Sequence, residues 1–391
     1  MKRFLKWTAL AIAALLAAGL AFFFLVLPGM MDGMLNRTLV PGPYTASPEA
    51  TALHETLTVA DLHADSLLFG RDLLQRHDRA HVDVPRMVEG NVALQVFGAV
   101  TQSPAGLNIE SNPADSDQII LIALGLRWPP ATWTSNLERA LYMARQFHDM
   151  AERSAGKLTV VKSRADLEAF LERRRTDRTL VAGMLAIEGA HALDGDPANV
   201  DVLFNAGYRM MSGAHFFDNA MAGSAHGEEK FGFTDEGREM LRRMEEKRMI
   251  FDISHASARQ IDEALEIATR PVVVSHTGVR GTCDNNRNLT DDQLRRIAAN
   301  GGLVGIGFWD VAVCGTTADS IAKAQRYVAD LIGVEHVALG SDYDGTVTVP
   351  FDASGMVLLT EALMKAGFNA GQIGQIMGGN QIRFLMENLP Q

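Results

Sequence analysis

The sequence predicts a (β/α)8 TIM-like barrel behind one N-terminal transmembrane helix. Three observations predict it. Eight short β-rich runs alternate with amphipathic helical patterns between residues 57 and 345. Most of these runs are apolar nearly throughout, as parallel strands buried on both faces are. Six of the eight end on histidine or carboxylate residues, and the C-terminal strand ends are where such a barrel builds its site. A doubly wound open sheet is the alternative. It would bring a glycine-rich phosphate loop after its first strand, and DLHADSLLFG (61–70) is not one.

Taken in order, Lys2, Arg3 and Lys6 precede an uncharged run over residues 8–27, long enough to span a bilayer as a helix. The basic flank predicts that this end stays in the cytoplasm. The body then lies across the membrane, in the periplasm if the source is bacterial. A cleavable signal peptide is the second reading; the run is long for one, and LPGMMDG after it lacks an A-x-A site. Residues 28–50, rich in Pro, Gly and small polar residues, read as a linker, and the folded body is expected over 51–391.

The strands are expected at 57–63, 92–100, 179–189, 208–215, 249–255, 271–278, 302–309 and 336–345. Helical patterns between them include SNLERALYMARQFHDMAER, TDEGREMLRRMEEKR with Thr234 as N-cap, and TDDQLRRIAANG. In the last, Thr290 and Gln293 stand in capping-box spacing. Residues 101–157 form a long excursion after the second strand, read as a lid over the barrel mouth or a packing insertion.

The net charge of −11 argues against a nucleic-acid binder, which needs a basic surface. Cys283 and Cys314, without a CxxC, exclude a zinc ribbon and a disulfide scaffold. Two buried thiols are expected rather than a bridge.

The strand ends carry the chemistry. They bring His63 and Asp65, Glu188, His215, His255, His276, and Asp342 with Asp344 to one rim. Singly, each reads as a hydrogen-bonded structural residue; six strands agreeing does not. Three histidines (His63, His255, His276) and two carboxylates (Asp65, Glu188) without thiolates suit Zn²⁺ and related ions. Five ligands are too many for one open catalytic site. They fit two metals if Glu188 bridges, with ions about 3.5 Å apart sharing a hydroxide as nucleophile.

DLHAD, AIEGAH, SGAHFFDN, FDISHAS, VVSHTG, RNLTDDQL, GSDYDG and MGGNQIRF occur in this order over residues 55–388. The chain thereby resembles the membrane dipeptidase (renal dipeptidase) family of zinc metallopeptidases, within the amidohydrolase-like barrels. The resemblance implies dipeptide hydrolysis with tolerance of a C-terminal D-residue, and two zinc ions bridged by Glu188. His63 and Asp65 would hold one ion, His255 and His276 the other. His215 would reach the substrate and polarise the scissile carbonyl. Asp342 would handle the proton, Arg287 would pair with the terminal carboxylate, and Trp309 would lie at the pocket. By its residues alone Arg287 reads as a surface arginine before a helix. The resemblance also implies a homodimer.

His54, His77, His81, His148 and His336 read as surface or structural. His191, Asp218, Asn219 and Asp344 read as supports around the site, and His226 as a loop residue near His215. Two other functions stand beside the dipeptidase. One is a binuclear-metal amide or lactone hydrolase on the same barrel; its relatives commonly show HxH on the first strand and a carbamylated Lys bridge. The other is a non-catalytic membrane-anchored binding protein, which would normally have lost a ligand, and none is missing.

Overall fold

The computed structural model describes residues 1–391. Eight parallel strands close a barrel: β1 (Val59–Ala64), β2 (Val92–Val100), β3 (Val181–Glu188), β4 (Tyr208–Ser212), β5 (Ile250–Asp252), β6 (Val273–Thr277), β7 (Leu303–Ile306) and β8 (Val337–Leu339). Each pairs with its sequence neighbours, and Leu339 of β8 opposite Asp61 of β1 closes the ring. A further strand, Leu158–Val160, lies along the start of β3; no expected element covered it. Met184 and Ala186 share the face of Glu188 by the period of two. They join Met210, Ile250 and the C-terminal helix residues Phe384 and Leu385 in one buried cluster. A larger cluster fills the space between strands and surrounding helices.

All eight expected strands form, but several stop early. The run expected over 249–255 is a strand only over Ile250–Asp252, and 336–345 only over Val337–Leu339. The reason is visible at His255 and Asp342, whose φ values of 60° and 61° turn the chain left-handed. Strand geometry ends so that these side chains face the barrel axis. The three helices form over Asn136–Arg153, Asp235–Glu246 and Asp291–Ala299, the last with its capping box complete.

Two expectations are corrected. Residues 28–50 are not a bare linker. Helix α1 (Lys2–Leu25), long and apolar enough to cross a membrane, runs into helix α2 (Leu27–Leu35). Pro28 sits in the first turn of α2, where its missing N–H costs nothing, and Gly29 and Gly33 let the Arg79 side chain lie against the helix. Arg37–Thr38 then pairs with Thr348–Val349. The cysteines are not thiols: Cys283 and Cys314 are bridged, with Cα atoms 5.2 Å apart. They follow neighbouring strands β6 and β7, so the barrel brings together loops that 31 residues separate.

Candidate active site and metal centre

His63 is the next-to-last residue of β1, Glu188 is the last residue of β3 and His276 lies near the end of β6. His215, His255 and Asp342 each stand three residues beyond a strand. All are buried, as is Asp65. The Glu188 carboxylate is the centre. Its Oε1 lies 3.1 Å from His255 Nε2 and 3.2 Å from His276 Nε2. Its Oε2 lies 3.6 Å from His63 Nε2 and 3.5 Å from His215 Nε2. Asp65 Oδ1 is 3.3 Å and Asp342 Oδ1 4.0 Å from His63 Nε2.

These ligand atoms form three overlapping triads, each within 4.8 Å: His63–Glu188–His276, Glu188–His215–His255 and His63–Asp65–Asp342. The Nε2 atoms of His255 and His276 are 2.9 Å apart and the rings of His63 and His276 stack at 3.9 Å. Both Nε2 and Nδ1 of His63, Asp65 Oδ1 and Glu188 Oε2 are buried without a hydrogen-bond partner. Buried polar atoms in this state are costly. The donor set fits divalent cations, which would use these lone pairs.

The electrostatics agree. Burial pushes Glu188 up to about 7, with the Asp65 carboxylate adding to it. Burial likewise raises Asp342 well above the usual carboxylate range. For His63 burial works downward, but Asp65 and Glu188 outweigh it and raise the imidazole well above its ordinary value. One cause underlies the three: anionic groups are packed where solvent cannot neutralise them, and positive charge is favoured there. Burial holds His215, His255 and His276 well below the ordinary imidazole value, so these are neutral donors.

Arg287 is buried, not on the surface. Its Nη2 donates to His276 O at 2.8 Å and lies 3.2 Å from His255 Nε2, and its guanidinium stands 5.7 Å from the Trp309 ring. Arg287, Trp309, His215, His255, Glu188, Asp65 and Asp342 all line one cavity of about 340 Å³, near the lower end of the roughly 300–1,000 Å³ of small-molecule sites.

The supports are partly those expected. Asp344 accepts from Arg71 Nη2 at 2.6 Å, Ser66 Oγ at 2.5 Å and His81 N at 2.6 Å. Asp218 accepts from the backbone of Ser224, Glu229 and Lys230, and Asn219 anchors Gly213 and Met221. His226 is buried and stacks on Phe216, and its Nδ1 meets Ile109 O at 2.7 Å. His191 is buried with neither ring nitrogen hydrogen-bonded. His54 and His81 are buried and bonded, His54 to Thr360 and Gly90, His81 to the backbone of Asp344. His77, His148 and His336 bind backbone carbonyls in partly buried positions.

Other supports escaped the sequence. Ser275 Oγ donates to Asp252 Oδ2 at 2.5 Å and therefore accepts from His276 Nδ1 at 2.9 Å. That fixes the tautomer that turns a lone pair on Nε2 into the site. On the far side, Asp61 accepts from Ser341 N and Oγ and from Gln95 Nε2, tying β8 and β2 to β1 beneath His63. The available signal was a carboxylate inside each of two otherwise apolar strands. Gly98 of β2 is a third: a Cβ there would overlap Asp65 Oδ1 and stand 2.9 Å from His63 Cε1.

Comparison with known proteins agrees with this geometry. The family model for membrane dipeptidase (peptidase family M19) matches residues 47–389. An uncharacterized protein in the pqqA 5′ region of Klebsiella pneumoniae is 31% identical over 248 residues, 59% of this chain and 89% of that one. Dipeptidase verJ of Clonostachys rogersoniana is 26% identical over 314 residues, 78% of this chain and 75% of its own. Among solved structures, a metallopeptidase from Rhodobacter sphaeroides, liganded with a phosphinate mimic of L-Ala-D-Ala, superposes with a TM-score of 0.68 at 22% identity, covering 85% of this chain and 99% of that one. A family match over nearly the whole folded body, on a closed eight-stranded barrel whose rim gathers the motif residues, places this chain in the membrane dipeptidase family, peptidase family M19.

Proposed function

We propose that the protein is a binuclear zinc dipeptidase that accepts a D-residue at the C-terminal position. The observation that carries it is the division of Glu188: Oε1 faces His255 and His276, Oε2 faces His63. A carboxylate so placed suits a bridge between two ions, one also held by His63 and Asp65, the other by His255 and His276. Such ions, when bound, supply a water nucleophile that ionises near neutral pH and Lewis-acid pull on the carbonyl.

The chain's own residues do the rest. Arg287 stays cationic when buried and offers a bidentate grip on a free carboxylate. That grip fixes the C-terminal end of the substrate in a small cavity and discriminates against longer chains. His215 lies close to Glu188 and stabilises charge on the carbonyl oxygen as it becomes tetrahedral. Asp342, whose proton affinity burial raises, takes a proton from the attacking water and delivers it to the leaving amine. The phosphinate mimic of L-Ala-D-Ala in the Rhodobacter sphaeroides relative supports the stereochemical part.

Residues 1–27 would anchor the catalytic body on the extracytoplasmic face of a membrane. The Cys283–Cys314 bridge supports that side, since disulfides persist in oxidising compartments. The test is elemental analysis of the full-length protein in detergent, with an assay of L,L- and L,D-dipeptides with and without chelator. About two zinc ions per chain and chelator-sensitive cleavage are expected. Zinc without dipeptide cleavage would move the assignment to another amide or lactone; turnover unaffected by exhaustive metal removal would end the metal reading.

A further inference from the structure

We propose that the juxtamembrane helix α2 is a wall of the catalytic cavity, and that this wall binds an apolar chain carried by the amine-side residue of a dipeptide. The inference rests on the dipeptidase reading. The cavity that contains Glu188 and Arg287 continues outward between α2 and the helix Ile119–Gly125, with Met31, Leu35, Leu107, Leu121 and Ile122 on its sides. Leu35, Leu107 and Leu121 also reach the surface, at 39%, 38% and 55% exposure, so they form the mouth. Apolar groups that both line a cavity and face solvent are unfavourable unless something apolar covers them.

The wall is fixed rather than draped. Asp32 of α2 is fully buried and pairs with Arg71 Nε at 3.1 Å and Arg79 Nε at 3.0 Å. Arg71 in turn holds Asp344 in the loop that carries Asp342. Pro28, at the start of α2, and Phe23, near the end of α1, stand against Gly125, so the apolar mouth opens beside the end of the hydrophobic helix.

The orientation follows from the charges. Arg287, in the loop after β6, lies against His255 and His276, whereas the apolar walls stand with Leu68 and Phe69 beyond β1. A dipeptide with its carboxylate on Arg287 crosses the Glu188 centre and presents its amine-side residue to the apolar half. The ligand class is therefore an amphipathic dipeptide: free carboxylate at one end, alkyl chain at the other.

The experiment uses the full chain in detergent or nanodiscs. The substrates share one C-terminal residue and carry an N-terminal residue of growing alkyl length, from glycine to 2-aminodecanoic acid. kcat/KM is expected to rise about two- to fourfold per added methylene until the cavity is full. L35Q and L121Q, both at partly exposed positions where folding should survive, should each flatten that slope. Cleavage of the short dipeptides with no dependence on alkyl length would overturn the subsite and leave the dipeptidase reading standing. If no dipeptide is cleaved, that reading fails, and calorimetric binding of the same series to metal-free protein decides the subsite alone. Affinity that rises with alkyl length and falls in L35Q sustains it; equal affinities across the series overturn it.

Discussion

Glu188 is useful because its two oxygens face different histidines, and its neighbours are arranged to keep it so. His276 is held by Ser275 and Asp252, and His255 is placed by a left-handed backbone that only the surrounding loop sustains. Two predictions belong to this scale. Asp342→Asn should retain the metal content of the parent while turnover falls by about a hundredfold or more, the range for removing a general acid–base group; steady-state kinetics beside elemental analysis checks it, and full activity would remove Asp342 from proton transfer. Gly98→Ala should act the opposite way. Its methyl would displace Asp65 and crowd His63, so metal content itself should drop, as metal titration would show.

At the scale of elements, the rim is assembled from loops that need fastening. The Cys283–Cys314 bridge staples the loop leading to Arg287 onto the segment following Trp309. Replacing both cysteines with serine should cost about 2–4 kcal/mol in denaturant unfolding, with KM for free-acid dipeptides rising because Arg287 loses its support. Helix α2 is fastened by one buried carboxylate that also accepts from Asn36 Nδ2 at 3.0 Å. Asp32→Asn removes one of the two buried carboxylates that face Arg71, leaving Asp344, and should destabilise the fold by about 1–3 kcal/mol. Thermal unfolding of the full chain tests this, and an unchanged midpoint would mean that α2 is not bound to the barrel as described.

For the whole molecule, burial of neutral histidines sets an acid limit. Burial pushes His191 down to about 3 and also lowers His54. In the unfolded chain both protonate near pH 6.5, so below that pH the unfolded state binds more protons than the folded one. Their contribution is therefore complete above about pH 6.5 and shrinks as pH falls, by about 1.4 kcal/mol per pH unit for each histidine that stays neutral in the fold. Glu188, Asp342 and His63, whose proton affinities the fold raises, act in the opposite sense over the same range, so the histidine share is read by comparing the parent with a variant between about pH 7.5 and 4.5. Relative to the parent, His191→Phe should gain in denaturant midpoint as pH falls, and a difference between the two that stays constant with pH would contradict the assignment.

Much of this was legible in the residues. Apolar runs separated by amphipathic helices specify buried parallel strands because strand and helix periods differ, and closure follows once eight such units are present. The polar residues at strand ends stood out against apolar neighbours, which is why His63, Asp65, Glu188, His215, His255, His276 and Asp342 could be named from their pattern. Tertiary structure decided what depends on distance rather than order. Cys283 and Cys314 look unrelated in sequence and meet because β6 and β7 are adjacent. Arg287 resembles a surface residue until the β6 loop folds it against His276. Residues 28–50 have the composition of a linker, yet the site of Asp32 is made by Arg71 and Arg79, about forty residues away in sequence. Local pattern reports which face of an element is apolar; only the packed chain determines which charges find one another and which walls a cavity has.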